Sequence, residues 1–326
     1  MAMAVSRIVE TDLAVTYSLP ELLQGVSIAD ITQRVLADKL MADEPVPTVA
    51  WALAKENSWL AHRSIQPQAK MRLFCFPFGG GGASIYREWQ HGCSDAIELC
   101  PVQLPGRENR MDEEAIANLD TLLPLLAQNL QPLFDMPFAF IGHSFGSLIA
   151  FEFARYLRRH QLPQPMHLFI SAFPDPRLPS RSLHHLLDNL QHKGLNLFDL
   201  DQHAISQLND QQLTALSLIF KENGIVDYSD VRMSKDIIQI LLPIFIGDMN
   251  IVKSYKYQEE LALDLTMTVF LGTHDTWVLP EEHAGWSHHA LLGCTFRAFD
   301  RGHLFIREQE IRAQMIEHIH DVLLGA

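Results

Sequence analysis

Cysteine is scarce in this chain: its 326 residues hold four, Cys75, Cys93, Cys100 and Cys294. Their spacings match no zinc ligand set, and a chain of this length needs no disulfide staples, so they read as small core hydrophobes. Long apolar runs are missing as well. None reaches the ~18 residues that span a bilayer, and Met1 to Arg7 lacks the charge, apolar core and small-residue cleavage site of a secretory signal. The expectation is a cytoplasmic protein with no membrane span. Cations are outnumbered, 25 Lys and Arg against 39 Asp and Glu, for a formal net charge of −14. That excludes nucleic acid as a partner, because such binding needs a basic footprint to neutralise phosphates. It also gives no global steering toward an acidic partner, which would require a local basic patch or a covalent tether. What the chain does have is apolar material: 48% of it is hydrophobic, ample for one α/β domain of about 250 residues plus an appendage.

The most informative stretch is Phe138-Ala139-Phe140-Ile141-Gly142-His143-Ser144-Phe145-Gly146-Ser147-Leu148-Ile149-Ala150. An apolar run suited to a buried strand enters a Gly-x-Ser-x-Gly turn, and an Ala/Phe-rich segment with helical spacing leaves it. A nucleophile elbow requires that context, since the serine occupies a strained strand-to-helix turn and small flanking residues let the two elements approach. Ser144 is therefore the candidate nucleophile; an ordinary Gly/Ser turn is the plainer alternative.

Residues 1–65 differ from the rest. Ser27 is placed to cap a helix carrying Ile28, Ile31, Val35 and Leu36 on one stripe, the prolines Pro45 and Pro47 break the pattern, and a second short helix is expected over Val49 to Leu60. The core, residues 66–326, opens with a strand at Met71–Phe76 that runs into Gly79-Gly80-Gly81-Gly82. Consecutive glycines disfavour helix and strand interiors, so they serve a backbone shape. In a serine hydrolase the useful shape points a backbone N–H at the developing oxyanion, together with the N–H of the residue after the nucleophile. Gly79 and Phe145 are the candidate donors; a flexible surface loop is the bland reading.

Further strands are expected at Ile97–Val102, Met166–Ala172, Leu265–Leu271 and Cys294–Phe299, with helices at Ile116–Leu130, through Phe151–Leu157 and from Arg307 to Leu324. Arg107 and Arg110 sit in a loop after a strand, where they could meet a ligand or be solvated or ion-paired. Between about 181 and 242 the strands stop. Leu183, Leu186, Leu187 and Leu190 form one apolar stripe, Leu213, Leu216, Leu218, Ile219 and Phe220 another after an Asn209 or Asp210 cap, and Ile237 to Leu242 a third. Such an insertion suits a lid over a greasy site, or simply extra core helices.

Candidates for a triad follow in the chain order Ser144, Asp275, His303, that of α/β-hydrolases, each just past a predicted strand. The serine hydroxyl needs an imidazole to take its proton, and a carboxylate fixes the imidazole's tautomer. His143 beside the serine reads as structural, and His274 as a weak rival to His303. Asp175, after the strand that follows the elbow, is the alternative acid, since hydrolases of this architecture use either position. The expected fold class is α/β: an α/β-hydrolase with a mostly parallel central sheet flanked by helices and a helical lid insertion.

Phe76-Pro77-Phe78-Gly79-Gly80, Gln103-Leu104-Pro105-Gly106-Arg107, Gly142-His143-Ser144-Phe145-Gly146, Leu242-Pro243-Ile244 with Asp248 and Tyr255, Gly272 to Asp275, and Gly302-His303 together resemble the type II thioesterase family of polyketide and nonribosomal peptide synthesis. The resemblance spans Lys70 to Ala326. It implies hydrolysis of acyl or peptidyl thioesters on the phosphopantetheine arm of a partner carrier protein, for product release or editing, with no cofactor of the enzyme's own and Asp275 as the acid. A general carboxylesterase or lipase-like hydrolase, or a non-catalytic interaction module on the same scaffold, are the other readings. Three positions depart from the family: Gly79 replaces an alanine, Trp277 a smaller residue, and residues 1–65 lie outside it. The stretch from Ser18 to Leu36 resembles the tail of an acyl carrier protein, which suggests a carrier in the same polypeptide. No Asp-Ser pair occurs to accept a phosphopantetheine arm, so the chain is not itself a working carrier.

Overall fold

The computed structural model describes residues 58–178, 191, 195–196, 200, 204–205, 207–222 and 231–325. The first expected N-terminal helix, the carrier-like tail and the stripe of Leu183, Leu186, Leu187 and Leu190 lie outside the described residues, as does the second helix but for residues 58–60, where the chain makes a turn and Leu60 bridges to Val102 instead of continuing a helix.

Six strands form one sheet in the order β2-β1-β3-β4-β5-β6: β1 Met71–Phe76, β2 Ile97–Pro101, β3 Phe138–His143, β4 His167–Ser171, β5 Thr266–Gly272 and β6 Cys294–Phe299. All neighbours pair in parallel. Both β1 and β3 are buried along their whole length, as the continuous apolar runs require of central parallel strands covered on both faces. Alternation then divides their side chains. Phe74, Phe76, Phe138 and Phe140 enter a core shared with helices α1 (Leu119–Leu130) and α2 (Phe145–Arg159), while Leu73, Cys75, Ala139 and Ile141 enter a second core closed by the C-terminal helix. The first is an aromatic lattice: Phe140 meets Phe76 edge-on at 5.4 Å and stacks on Phe153 of α2 at 5.3 Å.

Helix boundaries depart from the sequence pattern where a cap decides them. α1 starts at Leu119 rather than at Ile116, because the Asn118 side chain accepts the Thr121 N–H at 2.8 Å. α3 (Asp210–Glu222) is opened by a reciprocal pair: Asn209 Oδ1 accepts from Gln212 N–H, and Gln212 Oε1 from Asn209 N–H. Leu218 is 45% exposed and so leaves the expected stripe, whereas Leu213, Leu216 and Phe220 are buried. The third stripe grows into a 24-residue helix, α4 (Val231–Ser254), on which Ile240 is 55% exposed while Ile238, Leu242, Phe245 and Ile246 pack against α3. The last helix, α5, spans Gln309–His320, because Phe305–Arg307 forms a separate short turn before it. Of the cysteines, Cys75 and Cys100 are core residues, but Cys93 and Cys294 are only partly buried. No helix among the described residues is long and apolar enough to cross a membrane.

Charge closes the far end of α2. Arg155, Arg158 and Arg159 all reach Glu260, with contacts of 2.6–2.8 Å. Burial opposes the Glu260 charge, but hydrogen bonds from the three arginines win and hold its carboxyl at about 2, below the ordinary 4.5. A depressed carboxylate stabilises the fold above its unfolded value and loses that contribution as pH falls through the folded one. In urea titrations, Glu260→Gln is therefore expected to be less stable than the parent at pH 7 by about 1–3 kcal/mol, and the gap to close between pH 4.5 and pH 2. A gap unchanged across that window would contradict the assignment.

Candidate active site

The C-terminal ends of β3, β5 and β6 lie along one edge of the parallel sheet, and each delivers one side chain. Ser144 follows β3 with φ 53° and ψ −122°, a conformation L-residues avoid, which throws its side chain out of the turn. The turn is closed by small residues. A Cβ on Gly146 would lie 2.1 Å from the Phe76 carbonyl oxygen, and one on Gly142 would lie 2.2 Å from that of Gly146. No side chain fits at either position, so α2 rides directly against β1 and β3. Below the turn, Ser144 N–H donates to the Ser171 carbonyl at 2.7 Å, and the Ser147 hydroxyl bonds the Gly142 and Ser171 carbonyls.

His303 follows β6. Its Nε2 lies 2.9 Å from Ser144 Oγ and its Nδ1 lies 2.8 Å from Asp275 Oδ2. Asp275 follows β5; its carboxylate is wholly buried, and Oδ1 accepts the N–H groups of Trp277 at 2.7 Å and Val278 at 3.1 Å. An imidazole so placed can accept the hydroxyl proton at Nε2, with the Nδ1–H held toward the carboxylate. The Trp277 ring stacks on the His303 ring at 5.2 Å and 18°.

The other expected residues are placed elsewhere. Asp175 is bound by Arg177 and, at 3.0 Å, by His289. Burial works against its charge, but those hydrogen bonds hold its carboxyl well below the usual range. His274 is exposed, with Asp300 at 3.3 Å. His143 is fully buried: Nε2–H donates to the His303 carbonyl oxygen at 2.9 Å, which leaves Nδ1 to accept from the Ser171 hydroxyl at 2.8 Å. Burial pushes His143 far below the ordinary histidine value, with a smaller push from His303, so it stays neutral.

Gly79 lines the same small cavity as Ser144, together with Phe245, Met249, Trp277, His303 and Leu304. An ideal Cβ on Gly79 would stand 3.6 Å from Phe145 Cβ. Phe145 is the first residue of α2, so its N–H has no intrahelical acceptor and lies at the positive end of the helix dipole. The cavity at the serine is about 20 Å³, room for about one water. Phe78 and Phe245 also line a groove of about 550 Å³ bordered by Phe220, Ile240, Leu241 and Ile244 and by Arg307.

Reasoning from the sequence left Arg107 and Arg110 undecided and missed what Asp248 does. Both arginines are buried. Arg110 forks onto Glu113 and covers the Trp59 ring, and Arg107 forks onto Asp248 with bonds of 2.8 and 2.9 Å. A usable signal was present, since Asp248 interrupts an otherwise apolar run from Leu241 to Met249, where a charge demands a partner.

A family model for the thioesterase domain matches residues 71–323. Gramicidin S biosynthesis protein GrsT of Aneurinibacillus migulanus is 33% identical over 266 residues, 81% of this chain and 93% of that protein. A Brevibacillus parabrevis protein named linear gramicidin dehydrogenase LgrE is 35% identical over 264 residues, 80% of this chain and 92% of its own length. The structure of RedJ, a thioesterase from the prodiginine biosynthetic pathway in Streptomyces coelicolor, superposes with a TM-score of 0.65 at 27% identity, over 78% of this chain and 91% of that one. With the match running from the first core strand through the last helix, the chain belongs to the thioesterase domain family and is a hydrolase acting on thioesters.

Proposed function

We propose that the protein is a type II thioesterase that releases acyl or peptidyl groups from the phosphopantetheine arm of a carrier protein in polyketide or nonribosomal peptide biosynthesis, with Ser144, His303 and Asp275 as its triad. The observation that carries this reading is the position of the His303 imidazole, one nitrogen on the elbow serine and the other on a buried carboxylate. The relatives named for gramicidin S and prodiginine biosynthesis support the pathway class. The dehydrogenase name of LgrE does not transfer, since the chain holds no Gly-x-Gly-x-x-Gly dinucleotide fingerprint.

In the first step Ser144 Oγ attacks the thioester carbonyl carbon while its proton passes to His303 Nε2. The carbonyl oxygen becomes an oxyanion, held by the N–H groups of Gly79 and Phe145, and Asp275 stabilises the imidazolium. Collapse breaks the C–S bond, and the imidazolium proton goes to the departing thiol. Water then attacks the acyl-serine, with His303 taking and returning a proton, and the free acid leaves. Neutral His143 keeps a second positive charge away from His303 during these transfers.

Three measurements test the reading. With carrier loaded by different acyl chains and followed by mass spectrometry, Ser144→Ala is expected to lower release by at least about 10⁴-fold. Release at the parent rate would sink the mechanism. Asp275→Asn should cost about 10⁴-fold in kcat through loss of the correct tautomer, whereas Asp175→Asn should leave kcat within a few-fold and lower thermal stability, because its carboxylate serves Arg177 and His289; the opposite pattern would make Asp175 the acid. A carrier thioester should be hydrolysed faster than the matching oxygen ester, and the reverse preference would favour a general carboxylesterase.

A further inference from the structure

The glycine loop is fixed to the helical insertion through one carboxylate. Asp248 of α4 is fully buried, and its Oδ2 accepts the Gly80 N–H at 2.7 Å. Arg107 completes the joint. Its guanidinium donates to both oxygens of Asp248, and Nη1 also donates to the Gly81 carbonyl at 3.0 Å. Gln103 holds the far end of the loop, accepting from Ala83 N–H at 2.7 Å and donating to the Arg107 carbonyl at 3.0 Å. Two segments distant in sequence, the loop from Gln103 to Arg107 and helix α4, thus converge on the glycine loop.

The arrangement bears on Gly79 because of what that residue lacks. A glycine has the freest backbone of any residue, so the direction of its N–H must be fixed from outside. The bond from Gly80 N–H to Asp248 fixes the peptide plane that follows Gly79. The same helix presses on Gly79 with the next residue: a Cβ there would lie 2.9 Å from Met249 Cε. Phe245 and Met249, which line the cavity at Ser144, flank Asp248 on α4. The helix that walls the cavity is therefore also the one that anchors the loop.

We infer that Asp248 is the positioning residue of the oxyanion loop, holding Gly79 N–H in line with the reacting carbonyl through its bond to Gly80. It touches neither substrate nor triad and acts through Gly80. The inference rests on the assignment of Gly79 as an oxyanion donor.

Two paired replacements test this, since either residue changed alone leaves a buried charge without its partner. Asp248→Asn with Arg107→Gln removes both charges and keeps a side-chain oxygen for Gly80 N–H. Asp248→Leu with Arg107→Met removes the charges and the acceptor. Both are compared with the parent by kcat and KM on a loaded carrier, and by affinity for a trifluoromethyl ketone analogue, which forms the oxyanion, against an inert thioether analogue, which does not. The Asn/Gln protein should stay within about fivefold of the parent in kcat, and the Leu/Met protein should lose about 10²-fold, the scale of one oxyanion donor. KM and thioether affinity should be unchanged in both, with ketone affinity falling in step with kcat in the Leu/Met protein. Equal kcat in the two, whether high or low, would overturn the role of Asp248. So would a loss confined to KM or to thermal stability. A parent enzyme inert toward both carrier thioester and ketone would instead fail the triad assignment itself, which separates the two outcomes.

Discussion

The close approach of α2 to the sheet is the constraint on which the site depends. Phe145 can begin a helix directly after Ser144 only if nothing projects between that helix and the strands β1 and β3, and Gly142 and Gly146 leave the necessary gap. The cost is a serine held at positive φ, of order 1–3 kcal/mol. The phenylalanine lattice beneath, in which Phe76, Phe140 and Phe153 pack across the β1, β3 and α2 interface, offsets it. A strained turn persists here because the elements on either side are fixed by a core that cannot yield locally.

Buried polar groups around this turn are paired, each by a different part of the fold. Asp275 accepts two backbone N–H groups on one oxygen and faces His303 with the other. His143 is held neutral by burial and gives its one N–H to the backbone of His303. Asp175, a carboxylate of the same chain in a similar position after a strand, is drawn instead to Arg177 and His289. Two aspartates that look equivalent in sequence are separated by which cation or imidazole the fold brings to each.

Strand positions, the mostly parallel sheet, the elbow and the candidates Ser144 and His303 were legible because they depend on local patterns: apolar runs, glycine spacing and chain order. Helix starts were less so. At Leu119 an Asn118 cap overrides the apolar pattern that begins earlier, and at Leu218 the helical stripe turns to solvent because α4 covers only one side of α3. Arg107 shows where local reasoning stops. Its loop position left ligand contact, solvation and ion pairing open, and the partner that decides it is a carboxylate 141 positions away.

By itself, then, the sequence determined the α/β architecture and the chemistry on offer, because strand runs and a Gly-x-Ser-x-Gly turn act over a few residues. Only the tertiary structure decided which acid meets His303, where Trp277 stacks, and that Asp248 on the helical insertion grips Gly80. Those are contacts between residues 26, 28 and 168 positions apart. Hydrogen bonds that depend on ångström-scale placement across such separations are set by the packed core, which no local pattern encodes.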